Sequence, residues 1–139
     1  MHRAAFTLSR KFKLLIVLAT LGVALTLSQV GWSAPEAISV QTLMTRLASD
    51  QAPLVLDVRS AEEFAAGHIP GAINMPFREV PERLDELQAI TTDIVVYCEV
   101  GVRAAIAELT LEQAGFAQIL TLEGDSQAWR QAGLPLETD

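Results

Sequence analysis

The sequence contains a single cysteine, Cys98, whose neighbours are suited to covalent chemistry on sulfur. The thiol directly follows the apolar run Ile-Val-Val-Tyr and precedes Glu-Val-Gly-Val-Arg, which places Gly101 and Arg103 close to it. Glycine permits the backbone conformations of a tight turn, and arginine carries a permanent positive charge that attracts anions. A cysteine beside arginine or at a helix N-terminus is stabilised as the thiolate, the nucleophilic form. The pattern therefore predicts nucleophilic attack by Cys98 on an anionic substrate.

Residues 98–103 form a candidate anion-binding loop between a strand and a helix. A tight turn there directs several backbone N–H groups inward, and the following helix N-terminus adds unpaired donors and a partial positive charge. Glu99 opposes this arrangement unless its carboxylate faces solvent, which is the orientation we expect. The alternative interpretation of Cys98 is an inert, buried thiol. Tyr97 is expected to belong to the core.

Short apolar runs rich in branched residues alternate with helical patterns, which indicates an α/β fold. The unbroken run at residues 94–97 is typical of a strand covered on both faces, as in a parallel sheet. The predicted strands are residues 54–56, 72–74, 94–97 and 119–122, with a weaker candidate at 38–40. Asp57, Cys98 and Glu123 each follow one of these strands, so we expect them at the carboxyl edge of the sheet, where α/β proteins bind ligands.

Three stretches have apolar residues at helical spacing, and each stripe is expected to face the core. The stripes are Val40, Leu43, Met44 and Leu47; Val80, Leu84 and Leu87; and Val102, Ala105, Ile106 and Leu109. Pro81 suits a first helical turn, and Gly115 is placed where a glycine ends a helix. Glu108 and Glu112 lie opposite the last stripe and are expected to face solvent.

The N-terminal residues 1–34 differ in composition from the rest of the chain. Four of the ten basic residues occur before residue 14, no acidic residue occurs before Glu36, and residues 14–30 form an uncharged apolar run. This is the organisation of an export signal, and small residues allow cleavage after Ser33. The alternatives are an uncleaved membrane anchor, since the run is at the short end of what spans a bilayer, and a buried core helix. A signal or an anchor would place residues 36–139 outside the cytosol, in the periplasm or cell envelope.

Composition argues against several kinds of partner and cofactor. From Glu36 onward, six arginines face 17 acidic residues, a net charge of −11 that disfavours a nucleic-acid partner. Contact with a membrane is expected only if the leader stays uncleaved. The chain has two histidines, one of them in the leader, and one cysteine, which are too few for a common zinc site. We therefore predict neither a metal nor another cofactor.

Several motifs resemble those of rhodanese domains. They are Leu-Asp-Val-Arg at 56–59, Glu-Phe at 63–64 and Gly-His-Ile-Pro-Gly-Ala-Ile-Asn at 67–74; the six-residue loop at 98–103; and Leu-Glu-Gly at 122–124 with Ala-Trp at 128–129. The resemblance spans about residues 36–136. It implies one rhodanese-like α/β domain with a doubly wound, mainly parallel five-stranded sheet flanked by helices. With its leader, the chain is similar to the small single-domain rhodaneses of the bacterial periplasm.

The resemblance implies sulfurtransferase activity through a persulfide of Cys98. The thiol would take the outer sulfur of thiosulfate, a small anionic donor, and pass it to cyanide or to a thiol acceptor. The substrate anion would be held by the loop amides of Glu99, Val100, Gly101, Val102 and Arg103. The side chain of Arg103 would add charge. Because the chain has no second cysteine, the acceptor must be external, and a thiol protein is one candidate.

Three further residues, Asp57, Arg59 and His68, match family positions near the site. For Asp57 and Arg59, a structural ion pair or loop clamp is at least as well supported as a role in the chemistry. His68 is expected to order the turn at residues 67–71 rather than to act as a base.

The sequence departs from the family pattern after Gly124, where a second glycine is usual and Asp125 stands instead. We expect Asp125 to cap a helix that starts at Ser126. Because this loop borders the site, Glu123 and Asp125 are expected to discourage small anions such as thiosulfate.

Two other functions are considered for a cysteine loop of this kind. A phosphatase or arsenate reductase also uses a loop that ends in arginine, but it needs one residue more than the four that separate Cys98 from Arg103. A non-catalytic or sulfur-relay binding module would keep the fold as an interaction surface. The presence of Cys98, Gly101 and Arg103 together argues against a module without chemistry.

Overall fold

The computed structural model describes residues 35–139, and the predicted leader lies outside this range. The described chain contains five strands, four α-helices and two short 3-10 helices. In chain order they are β1 (Glu36–Ile38), α1 (Val40–Leu47), β2 (Leu54–Asp57), α2 (Ala61–Ala66), β3 (Ile73–Asn74), the 3-10 helices Val80–Glu82 and Leu84–Leu87, β4 (Ile94–Tyr97), α3 (Val102–Gln113), β5 (Ile119–Leu122) and α4 (Asp125–Gln131). None of the helices in this part of the chain is long and apolar enough to cross a membrane.

The strands form one sheet in the order β1-β5-β4-β2-β3, and every pairing is parallel. The register places Asp57, at the end of β2, beside Tyr97, at the end of β4. Because parallel strands end at the same edge of a sheet, Asp57, Cys98 and Glu123 all emerge there. The predicted parallel α/β sheet is confirmed.

The central strand β4 is buried on both faces, as its unbroken apolar run predicts. Val96 lies in one hydrophobic cluster with Leu111 of α3. Val95 lies in the other cluster, on the opposite face, with Leu43 of α1 and Trp129 of α4. Helices therefore cover both faces of the sheet, which is the doubly wound arrangement.

The first strand and the first helix are shifted from their predicted positions. The sequence predicts a weak strand at residues 38–40, whereas β1 ends at Ile38 and Val40 already begins α1. The reason is Ser39, whose hydroxyl accepts a hydrogen bond from the backbone N–H of Thr42 at 3.2 Å and caps the helix.

The stripe of Val80, Leu84 and Leu87 lies on two 3-10 helices and not on one longer helix. Arg83 separates them with a φ of −120°, so the continuous ladder of an α-helix does not form. Val80 and Leu87 are nevertheless buried, and the stripe faces the core as predicted.

The predicted buried face of α3 is wrong. Val102, Ile106 and Leu109 are 68%, 47% and 47% exposed. The buried residues of this helix are Ala104, Ala107, Glu108 and Leu111. Small alanines allow close packing on the sheet, and buried Glu108 accepts a hydrogen bond of 2.8 Å from the hydroxyl of Thr121 on β5. The expectation that Glu108 faces solvent is wrong for the same reason.

Candidate active site

Cys98 is the first residue after β4 and opens the turn into α3. Gly101 is the N-cap of α3 with a φ of 92°, a left-handed conformation that favours glycine. This turn brings the backbone N–H of Gly101 to 3.1 Å from Cys98 Sγ, to which it donates. The N–H groups of Val102 and Arg103 have no acceptor among residues 35–139. The loop thus provides one donor to sulfur and further donors that are open to an anion.

The Cys98 side chain is buried, with 1% of its surface exposed. Burial alone matches the inert-thiol alternative, but the Gly101 donor directed at Sγ matches the anion-binding loop. Val100 and Val102, which are 65% and 68% exposed, form an apolar rim on the loop. Tyr97 belongs to the core, as predicted, and its hydroxyl accepts a hydrogen bond from the N–H of Ile69 at 3.2 Å.

The guanidinium of Arg103 is paired with a carboxylate near the cysteine loop. It donates two hydrogen bonds, of 2.6 and 2.8 Å, to Glu63, and these bonds, with a smaller influence from Cys98, raise the pKa of Arg103. These hydrogen bonds from Arg103 are the main reason that the pKa of Glu63 is lowered to about 2. Glu63 contributes to the site, although the sequence identifies it only as part of the Glu-Phe motif at residues 63–64. Its other signal is the capping box with Ser60, which fixes its carboxylate at the start of α2.

Asp57 and Arg59 form a buried bidentate ion pair. Nε of Arg59 lies 3.0 Å from both carboxylate oxygens of Asp57, and Nη2 lies 2.6 Å from Oδ2. The same Nη2 donates to the carbonyl of Gly67 at 2.8 Å. Burial opposes the charge of Arg59, but the hydrogen bond and charge of Asp57 leave its pKa raised. This geometry is that of a clamp between the end of β2 and the turn at residues 67–71.

His68 is buried within that turn and stacks on Phe64 with the ring centroids 3.6 Å apart. Its Nδ1 lies 2.9 Å from the Phe64 carbonyl, and its backbone pairs with that of Glu137. The contacts of His68 within the described chain hold the turn together, and Cys98 is not among them.

The carboxylate of Glu99 is 36% exposed, so it reaches solvent in part, as expected, but it is not free. It accepts a hydrogen bond of 2.7 Å from the Ser126 hydroxyl and pairs with Arg130, both on α4. The pKa of Glu99 is lowered, chiefly by its hydrogen bond from Arg130. These partners draw the carboxylate toward α4 and neutralise part of its charge, so it opposes the thiolate less than a free carboxylate would.

Asp125 is directly bonded to the cysteine loop. The helix starts at Asp125 and not at Ser126, with Gly124 as N-cap, so Asp125 does not cap it as predicted. Instead, Oδ1 of Asp125 accepts the backbone N–H of Cys98 at 2.7 Å. A Cβ on Gly124 would lie only 2.6 Å from Cβ of Ala128, so the first turn of α4 is tightly packed on its own N-cap. The first turn of α4 therefore holds Cys98 in place.

The fold and the loop define a class, namely an α/β domain that presents one cysteine at the carboxyl edge of a parallel sheet. The sequence profile of the Rhodanese-like domain family matches residues 39–132. The chain belongs to this family.

Individual relatives agree with this assignment. The chain is 36% identical over 99 residues to a sulfurtransferase of Allochromatium vinosum, covering 71% of this chain and 92% of that protein. It is 33% identical over 97 residues to a Bacillus subtilis protein provisionally named a sulfur carrier, covering 70% of this chain but only 51% of that protein. The crystal structure of a rhodanese-related protein from Thermoplasma volcanium superposes with a TM-score of 0.67 at 32% identity, covering 75% of this chain and 99% of that one.

Proposed function

We propose that this chain is a sulfurtransferase that carries sulfane sulfur as a persulfide on Cys98. The observation that supports this most directly is the N–H of Gly101 directed at Sγ, next to N–H groups at the start of α3 that have no partner within residues 35–139. Such donors stabilise a thiolate and, after transfer, the negative outer sulfur of a persulfide. Family membership and a relative named as a sulfurtransferase support a transferase of this broad kind.

The first half-reaction uses thiosulfate or a related anionic donor. The Cys98 thiolate attacks the outer sulfur, a new S–S bond forms on Sγ, and the S–S bond of thiosulfate breaks as sulfite leaves with the electron pair. The outer sulfur then lies about 2 Å beyond Sγ, which brings it from the buried thiol toward the loop amides. In this proposal the amides of residues 99–103 and the side chain of Arg103 bind the donor.

The second half-reaction needs an external acceptor, because the chain has one cysteine. Cyanide or a thiol attacks the outer sulfur, the bond to Sγ breaks, and the Cys98 thiolate is restored. Thiocyanate or a new persulfide is released. A thiol protein is a suitable acceptor, since the exposed side chains of Val100 and Val102 give the rim apolar surface that a small anion does not need.

An extracytosolic location is also proposed, on the sequence of residues 1–34 alone. The basic start and the apolar run at residues 14–30 support an export signal or an anchor. Fractionation of cells with the mature N-terminus determined by sequencing tests this proposal. Recovery of the uncut chain in the cytosol would contradict it.

A sulfur-relay module is the second candidate, and the exposed apolar side chains of Val100 and Val102 favour it, because a protein partner would bury them. Intact-mass spectrometry after incubation with thiosulfate tests both. The wild-type domain should gain one sulfur atom, and Cys98→Ser should gain none. Addition of cyanide should then remove the sulfur and release thiocyanate catalytically from an enzyme, whereas a relay module should lose it only to a protein thiol. A wild-type chain that gains no sulfur from any donor would contradict both functions.

A further inference from the structure

We propose that Asp125 sets the donor specificity of the cysteine loop, favouring sulfane donors with one negative charge over the dianion thiosulfate. The inference rests on the proposed sulfurtransferase function and names the class of donor that the same site prefers. Thiosulfonates, in which an organic group replaces one charged oxygen of thiosulfate, represent this class.

The carboxylate of Asp125 lies directly under the loop. Oδ1 accepts the backbone N–H of Cys98 at 2.7 Å, and the Cys98 side chain is near enough to offset part of the rise that burial causes in the pKa of Asp125. A Cβ built on Gly101 would lie 3.2 Å from Oδ2, so the second oxygen faces the N-cap of α3. Asp125 therefore lies against the backbone of Cys98 and against Gly101, whose N–H donates to the Cys98 sulfur.

No arginine neutralises this carboxylate among residues 35–139. Arg103 is paired with Glu63, and Arg130 is paired with Glu99. The other charged groups that influence Asp125 within this range are carboxylates, Glu99 and buried Glu108. Burial raises the pKa of Asp125, but the Cys98 N–H, which it accepts, favours the ionised form. Asp125 is 5% exposed, so solvent screens its charge poorly.

The backbone at this position does not require an aspartate. Asp125 has a φ of 55°, the one positive φ outside glycine in the described chain. Glycine adopts this conformation more easily, and asparagine and aspartate tolerate it better than other residues. A carboxylate thus occupies a place where glycine would fit, and besides accepting the Cys98 N–H it puts a negative charge beside the loop.

Each extra negative charge on a bound donor is repelled by this carboxylate. Thiosulfate carries one charge more than methanethiosulfonate, although both offer the same outer sulfur on an oxidised sulfur atom. A neutral amide at position 125 should therefore improve the reaction of thiosulfate more than that of methanethiosulfonate.

The test compares kcat/KM for the two donors in wild type, Asp125→Asn and Glu123→Gln, with cyanide as acceptor. We expect the ratio of thiosulfate to methanethiosulfonate to rise about tenfold or more in Asp125→Asn. Glu123 precedes the same turn but is exposed, so Glu123→Gln should change the ratio less than about twofold. In wild type the ratio should rise toward the Asp125→Asn value as the pH is lowered, and it should stay flat in the variant.

Asp125→Gly is the second variant, because glycine suits the positive φ if the amide disturbs the turn. An unchanged donor ratio in a folded variant that still forms the persulfide would overturn this inference alone. Absence of a persulfide on wild type with either donor would overturn the proposed function as well. An equal rise in the ratio for Glu123→Gln would show that the net charge of the surface, and not Asp125, discriminates.

Discussion

Arg103 donates two hydrogen bonds, of 2.6 and 2.8 Å, to Glu63, which lies 40 positions earlier in the chain. The arginine that is expected to bind the substrate anion is therefore already bound to a carboxylate. Cys98 also influences the pKa of Arg103, but less than Glu63 does, so the guanidinium lies near the loop with part of its charge offset. The pair connects α2 to α3.

Replacement of Arg103 should affect activity much more than folding. We expect Arg103→Ala to lower kcat/KM for thiosulfate at least about tenfold, because one charge-assisted contact to the donor is lost. The free energy of unfolding in urea should fall by less than about 1 kcal/mol, since both partners of the ion pair are partly exposed. Arg103→Lys is the control, which keeps the charge without the planar fork. Equal turnover of wild type and Arg103→Ala would exclude Arg103 from the site.

Replacement of Glu63 should have a pH-dependent cost. The pKa of Glu63 is lowered to about 2, so its contribution to stability is complete above the ordinary value of 4.5 and is lost as the pH falls through about 2. Denaturation of wild type and Glu63→Gln should therefore differ by less than about 1 kcal/mol at pH 7 and not at all near pH 2. A difference that grows on acidification would contradict this pairing.

Because Arg103 is released, the KM for thiosulfate should also fall in Glu63→Gln.

Glu108 should show the opposite dependence on pH. Burial raises its pKa, so the folded state holds the proton more tightly than the unfolded state does. Its stabilising contribution is therefore present below 4.5 and is lost as the pH rises through the folded value. Relative to Glu108→Gln, wild type should gain stability as the pH is lowered from 7 to 4. Parallel pH profiles of the two proteins would show that Glu108 titrates normally.

Two leucines of α3 test which face of the helix is buried. Leu111 is fully buried, whereas Leu109 is 47% exposed. Leu111→Ala should lower the free energy of unfolding by about 2–4 kcal/mol, and Leu109→Ala by less than about 1 kcal/mol. Chemical denaturation of the two variants measures both values. Similar losses of unfolding free energy in both variants would show that Leu109 is also buried in solution.

Alanine substitutions at two glycines distinguish the effect of backbone strain from an effect on the reaction. Gly101 and Gly115 have φ values of 92° and 93°, so alanine strains both turns alike. A Cβ at Gly101 would lie 3.2 Å from Asp125 Oδ2, whereas at Gly115, which ends α3 as predicted, it would meet nothing within 4 Å. Both substitutions should cost about 1–2 kcal/mol of stability. Only Gly101→Ala should lower thiosulfate turnover by tenfold or more, about 1.4 kcal/mol in the barrier.

The local sequence pattern was sufficient to predict the parallel sheet and the cysteine loop. The apolar run of β4, Gly101 and the start of α3 are adjacent in the sequence, so the turn could be predicted from neighbouring residues. The buried face of α3 could not, because apolar residues occupy two faces and the choice depends on packing against the sheet, where Thr121 is the partner of Glu108. The contacts of Cys98 with Asp125 and of Arg103 with Glu63 also join separate elements. They depend on which strands are neighbours, which no local spacing encodes.

The close approach of Gly124 to Ala128 makes the position of the Cys98 sulfur depend on the geometry of α4, a helix of seven residues. A larger residue at either position would distort the first turn of this helix, which holds the main chain of Cys98 through Asp125 and Ser126. Because neither glycine nor alanine adds much to the core, most of the stability would survive such a change. The domain would still fold, but the Cys98 sulfur would be displaced from the loop amides.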